Sequence, residues 1–139
     1  MIEKYIKLML KESKKAFKKR EIPVCAIIVD KNWEIISREI NNRQKKYNIL
    51  GHAEIQAILK AEKKIKDWRL NGYTMLVTLK PCKMCTTIIK ESRLDKVYYL
   101  VDNFNNEKEN VDNFWEINNF EKYKKEYNNL LKKFFNNMR

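Results

Sequence analysis

His52 is the only histidine in this chain of 139 residues, and it stands in "GHAEIQAI" two places before Glu54. Further along, "PCKMC" sets Cys82 and Cys85 three apart, directly after Pro81. One imidazole and two thiols make a three-ligand set suited to zinc. A structural zinc site is usually closed by a fourth protein ligand, whereas three ligands leave a position for water, which the metal acidifies toward neutral pH. The ligand count therefore favours a catalytic site. Glu54 stands where a carboxylate can reach that water without binding the metal, take a proton from it and deliver the proton to a leaving group. Singly, each residue has a plainer reading: a lone histidine is commonly structural, a C-x-x-C can be a redox pair, and a glutamate there can cap a helix. The combination, in that order, points to metal-assisted hydrolysis.

These residues need elements that bring them together. The spacing of Ile2, Ile6, Met9, Ala16 and Phe17 predicts an amphipathic helix over residues 2 to about 19. "IPVCAIIVD" (22–30) is short, apolar and β-branched and reads as a buried strand, followed by a turn at "KN" and a second strand in "WEIISREI". Residues 40–51 show no period and read as a loop. From His52 the pattern Ile55, Ile58, Leu59, Ala61, Ile65 predicts a helix, and Asn71-Gly72 a turn. "YTMLVTL" (73–79) reads as a strand. Pro81 fits the first turn of a helix running to about Ser92. "DKVYYLV" is a further strand, residues 102–113 are loop-like, and "FEKYKKEYNNLLKKFFNNM" is a closing helix. Helices alternating with apolar strands argue for an α/β sandwich with helices on both sheet faces. Both halves of the candidate site then fall at helix N-termini, where the dipole stabilises thiolates, the form that binds metal.

The length suits one domain, so residues 1–139 are expected to form a single folded unit. No stretch of eighteen apolar residues occurs, and charges interrupt the first fifteen residues where a secretory signal needs an apolar run. A soluble, cytoplasmic protein with no membrane association is expected. Three cysteines, two of them three apart, fit a metal or redox site in a reducing compartment better than a disulfide framework. The net charge is +12, and residues 1–20 together with 120–139 supply +10 of it. Such basic ends can meet a polyanion. The plainer reading is compositional, since 24 Lys and 16 Asn against 6 Arg mark a biased sequence and Lys on helices is commonly a solvated face.

H-x-E followed by P-C-x-x-C resembles the signature of the zinc-dependent nucleobase deaminases. More narrowly, the chain resembles the bacterial tRNA-specific adenosine deaminases, which convert the wobble adenosine of a tRNA anticodon to inosine. "IPVCAIIV" resembles that family's first strand, "NNRQ" its substrate loop, "GHAEIQAI" its first zinc helix, "DWRLNGYTMLVTLKPCKMC" the run into the second, and "LLKKFFNNMR" its last helix. The resemblance implies a three-layer α/β/α sandwich of cytidine-deaminase type, with a five-stranded mixed sheet and helices on both faces. It implies one Zn2+ per chain, held by His52, Cys82 and Cys85. Glu54 would shuttle protons while hydroxide attacks C6 of adenine and ammonia leaves. Asn41 would contact the flipped-out base, with Asn42 in that role if the loop is shifted by one residue, and the backbone around Ala53 and Pro81 would border the base. The implied partners are a tRNA anticodon stem-loop and a second copy of the chain, packed through helices near the zinc site.

Four departures from the family pattern bear on substrate. Cys25 stands where the family usually has Gly, and reads as a buried apolar residue or as an extra ligand or redox partner. Lys80 replaces the usual Glu before Pro81, removing a carboxylate that would orient ligands. Thr86 and Thr87 replace a small Ala-Gly pair, and the loop after the fourth strand lacks glycines. A deaminase of a free base or nucleotide such as cytosine, guanine or deoxycytidylate is thus the alternative reading. The third is a non-catalytic zinc-containing RNA-binding subunit, whose mark would be loss of the carboxylate that Glu54 supplies.

Overall fold

The strand β1 (Cys25–Val29) is buried along its whole length, and its alternate side chains feed two separate cores. Cys25, Ile27 and Val29 point to one face of the sheet, Ala26 and Ile28 to the other. That two-sided burial is what an uncharged run of β-branched residues demands. The computed structural model describes residues 1–102 and 111–137. Around β1 lie β2 (Ile35–Ile40), β3 (Thr74–Leu79), β4 (Lys96–Val101) and β5 (Phe114–Glu116), in the sheet order β2-β1-β3-β4-β5. β1 runs antiparallel to β2 and β3, while β3, β4 and β5 are parallel, so the sheet is mixed.

Helices α1 (Ile2–Lys18) and α5 (Glu121–Asn137) cover one face. Ile6 and Met9 of α1 and Tyr127 of α5 are fully buried there, each apolar side chain contributing about 1.5–3 kcal/mol on burial. The Tyr127 hydroxyl donates to the Pro23 carbonyl at 2.7 Å, so the ring's polar tip is satisfied in the core. Helices α3 (Ala53–Ile65) and α4 (Lys83–Glu91) cover the other face through Ala57, Ile58, Ala61 and Ile89. The result is the expected three-layer α/β/α sandwich. No helix among the described residues is long and apolar enough to cross a membrane.

Three differences from the sequence reading have physical causes. Residues 40–51 are not all loop: α2 (Arg43–Lys46) is one helical turn, and the buried Glu21 carboxylate accepts from Gln44 N at 3.1 Å and Lys45 N at 2.9 Å. Those are the orphan donors of a helix start, satisfied by an acid from a distant part of the chain. β5 is only three residues long and too short to show alternation. Pro81 lies outside α4, one residue before its N-cap, and Cys82 takes the cap position. The polar loop expected at 102–113 falls mostly outside the described residues.

Candidate active site

Two helix starts meet at one end of the sheet. His52 is the N-cap of α3, with extended backbone, and its carbonyl accepts from Gln56 N at 3.0 Å. Cys82 is the N-cap of α4; its sulfur accepts from Cys85 N at 3.5 Å and its carbonyl from Thr86 N at 2.8 Å. Asn41 fixes the first of these starts: its side-chain oxygen, on a buried residue, accepts from Ala53 N at 2.7 Å. Asn41→Ala removes that acceptor from the first turn of α3 and is expected to cost about 1 kcal/mol. Urea denaturation monitored by circular dichroism would measure the loss, and Asn41→Asp, which keeps an oxygen in place, should recover most of it.

The three donor atoms converge. His52 Nδ1 lies 3.4 Å from Cys85 Sγ and 3.9 Å from Cys82 Sγ, and all three ligand atoms fall within 4.8 Å of one another. A tetrahedral zinc with Zn–S of about 2.3 Å and Zn–N of about 2.0 Å needs its ligand atoms about 3.6–3.8 Å apart, so the triangle has the size of a zinc site. Hydrogen bonds from Cys85 and His52 hold the Cys82 thiol down to about 4. The same sharing raises Cys85 and, through Cys82, His52. One thiolate thus sits among shared protons, and a divalent ion replaces such protons when it binds.

Glu54, in the first turn of α3, is buried, and its negative charge helps raise the nearby Cys85 thiol. Burial pushes its carboxyl up to about 7. Pro81 is buried and Ala53 is fully buried beside the same site. Asn42 is the N-cap of α2, and its side-chain oxygen is buried without a hydrogen-bond partner among the described residues. Gly51 closes that loop tightly: a Cβ there would lie 2.6 Å from both Arg43 N and Asn42 Oδ1.

Cys25 belongs to the opposite core, on the α1–α5 face, and is fully buried. It lies apart from the one candidate metal cluster among the described residues, which excludes it as a fourth ligand there. Its backbone N–H donates to Thr78 Oγ1 at 3.1 Å, and burial raises its thiol. Lys80 places its ammonium 4.0 Å from an Asp102 oxygen and 5.6 Å from the Tyr99 ring centroid. Thr86 and Thr87 turn their hydroxyls to carbonyls one turn back, Pro81 at 3.5 Å and Lys83 at 3.1 Å, so they add bulk without an unsatisfied donor. Glu21, Thr78 and Tyr127 carried no signal in the sequence, because their partners lie at large chain separations.

The family profile of the cytidine and deoxycytidylate deaminase zinc-binding region matches residues 1–101, which include all three donors and Glu54. The chain belongs to this zinc-binding deaminase family. Zinc is therefore its metal, and the donor triangle fits it. Among similar proteins are the tRNA-specific adenosine deaminases of Rickettsia bellii, 47% identical over 91 residues, and of Bacillus subtilis, 43% identical over 97 residues. Those alignments cover 65% and 70% of this chain but only 63% and 60% of the relatives, so less than two thirds of their length is spanned. A solved structure from a study of A-to-I editing by tRNA:A34 deaminases shares the fold, with a TM-score of 0.78 over 90% of this chain and 96% of that one, at 24% identity. The guanine deaminase of Bacillus subtilis superposes with a TM-score of 0.69 at 26% identity, over 73% of this chain and 65% of that one.

Proposed function

We propose that the protein deaminates adenosine to inosine at the wobble position of a tRNA anticodon, with one zinc per chain held by His52, Cys82 and Cys85. The observation that carries the reading is a buried carboxylate, Glu54, beside a zinc-sized His-Cys-Cys triangle, in a chain whose relatives at 40–47% identity bear the tRNA-specific adenosine deaminase name. Bound zinc supplies Lewis acidity that brings water toward ionisation at neutral pH. Glu54 takes the proton of the attacking water on its carboxylate and passes it to the departing C6 nitrogen. Buried Ala53 and Pro81 exclude bulk water on either side of the base. Asn41, its oxygen held by Ala53 N, presents its amide nitrogen to the purine, and Asn42 borders the entrance. The finer parts of the reading are one domain over 1–139, a homodimer packed near the zinc site, and action on tRNA in the cytoplasm.

Incubation of the zinc-loaded protein with a tRNA bearing adenosine 34 is expected to yield inosine by nucleoside mass spectrometry; its absence overturns the reading. The likeness to a guanine deaminase fold and the Lys80 substitution favour a second reading, deamination of a free base. Ammonia release from guanine or cytosine, with no inosine in tRNA, would decide for that one.

A further inference from the structure

The sequence holds its excess positive charge at its two ends, and the fold brings those ends onto one face. Phe17 at the end of α1 meets Phe134 of α5 edge to face at 6.3 Å, and Lys14 pairs with Glu126 at 2.9 Å. Where α1 ends, three adjoining recesses open along the surface. The first, about 620 Å³, is lined by Phe17, Lys18, Arg20, Phe134 and Asn137. The second, about 600 Å³, shares Arg20 and adds Lys19, Gln44 and Lys45. The third, about 150 Å³, shares Lys19 and Lys45, adds Lys46, and ends on Asn41 and Asn42. Asn41 is bonded to Ala53, the neighbour of His52, so the recesses lead from α5 to a residue that fixes the zinc-site end of α3.

Cations along this path outnumber the acids five to two. Lys18, Lys19, Arg20, Lys45 and Lys46 are all exposed, and none is ion-paired among the described residues. Of the two acids lining it, Glu21 spends its carboxylate on the α2 backbone and Glu39 is paired with Lys60 at 2.5 Å. Exposed Phe135 and the Phe17 ring, with Lys133 Nζ 6.0 Å above it, add aromatic surface at the far end. A solvated lysine face has neither the grooved shape nor the sequestered acids. Continuous cations beside aromatic rings are the features of a track for single-stranded nucleic acid, where phosphates meet Lys and Arg and bases stack.

We propose that this α1–α2 groove carries the RNA strand on one side of the reacting nucleotide, with Lys18, Lys19, Arg20 and Lys45 as its phosphate contacts. The proposal rests on the tRNA reading and names the surface that reading leaves open. The test uses the zinc-loaded full chain and a fluorescent anticodon stem-loop RNA, with affinity measured by anisotropy across a salt series. Lys18→Ala, Lys19→Ala and Lys45→Ala combined should weaken binding about tenfold or more near 0.15 M salt and lower the slope of log K against log salt by about 2, since each single-strand phosphate contact contributes about 0.7. The equally charged control, Lys11→Ala with Lys64→Ala and Lys90→Ala, should leave the slope unchanged, and zinc content should be unchanged in both. An unaltered slope in the groove variant, or equal losses in the control, overturns the track, as does wild-type protein that binds phosphatidylserine vesicles through these lysines and not the stem-loop. Failure of the tRNA reading is seen separately, as absence of inosine from the wild-type protein.

Discussion

His52→Ala is expected to abolish both zinc binding and turnover. No other imidazole exists in the chain to replace the lost nitrogen, and the described residues offer no fourth donor within the cluster. Two thiols three residues apart on one helix start remain, and water would have to fill two positions instead of one. Loss of a residue that merely orients a ligand typically costs 10–100-fold in affinity, and loss of a ligand itself should exceed that. Dialysis against a mild chelator followed by metal analysis should find about one zinc per chain in the wild type and almost none in the variant. The effect should reach beyond the metal, because the same three atoms tie the start of α3 to the start of α4. Cys82→Ser and Cys85→Ser should behave alike, whereas Cys25→Ala, on the other face of the sheet, should keep its zinc. Full zinc retention by His52→Ala would refute the imidazole as a ligand.

The legible parts of this molecule are those whose physics is local. Helices α1 and α3 follow from periodicity, α4 from the proline before it, and four of the strands from short apolar runs bounded by turns, while the donor triangle follows from short motifs at two helix starts, because a cap position is written in neighbouring residues. What stayed hidden depends on partners far along the chain. The single turn α2 exists because Glu21, in "KKREIP", delivers a carboxylate to backbone donors more than twenty residues away, and nothing around "NNRQKK" announces it. β5 is visible only as a parallel neighbour of β4, since three residues cannot display a period. The family likeness implies a substrate contact for Asn41; what the fold shows is its side-chain oxygen accepting from Ala53 N, which spacing alone does not reveal. Cys25 illustrates the converse. Alternation along β1 already decided its face, so its separation from the metal was implicit in the strand once Ala26 and Ile28 are seen against α3. Substrate choice is the least legible property, because the zinc motif serves several bases alike.

Glu54→Gln is expected to keep its zinc and lose turnover by a factor of about 10²–10⁴, the usual contribution of a positioned proton-transfer group. Glutamine matches the shape of the carboxylate, so the first turn of α3 and the buried packing around it should survive, and metal analysis should still find about one zinc per chain. What it lacks is the capacity to accept a proton from water and release it to a departing amine. On the proposed tRNA reading, RNA affinity should be unchanged, because binding a stem-loop does not use that proton, and the loss should therefore fall on kcat with KM nearly constant. The combination separates three roles for one residue. A structural acid would show lowered thermal stability, a metal ligand would show lost zinc, and only a proton carrier would show intact zinc, intact RNA binding and a collapsed kcat. If Glu54→Gln turned over at the wild-type rate, the proton would have to move by another route. The metal cluster itself, His52 with two cysteines, holds no carboxylate among the described residues.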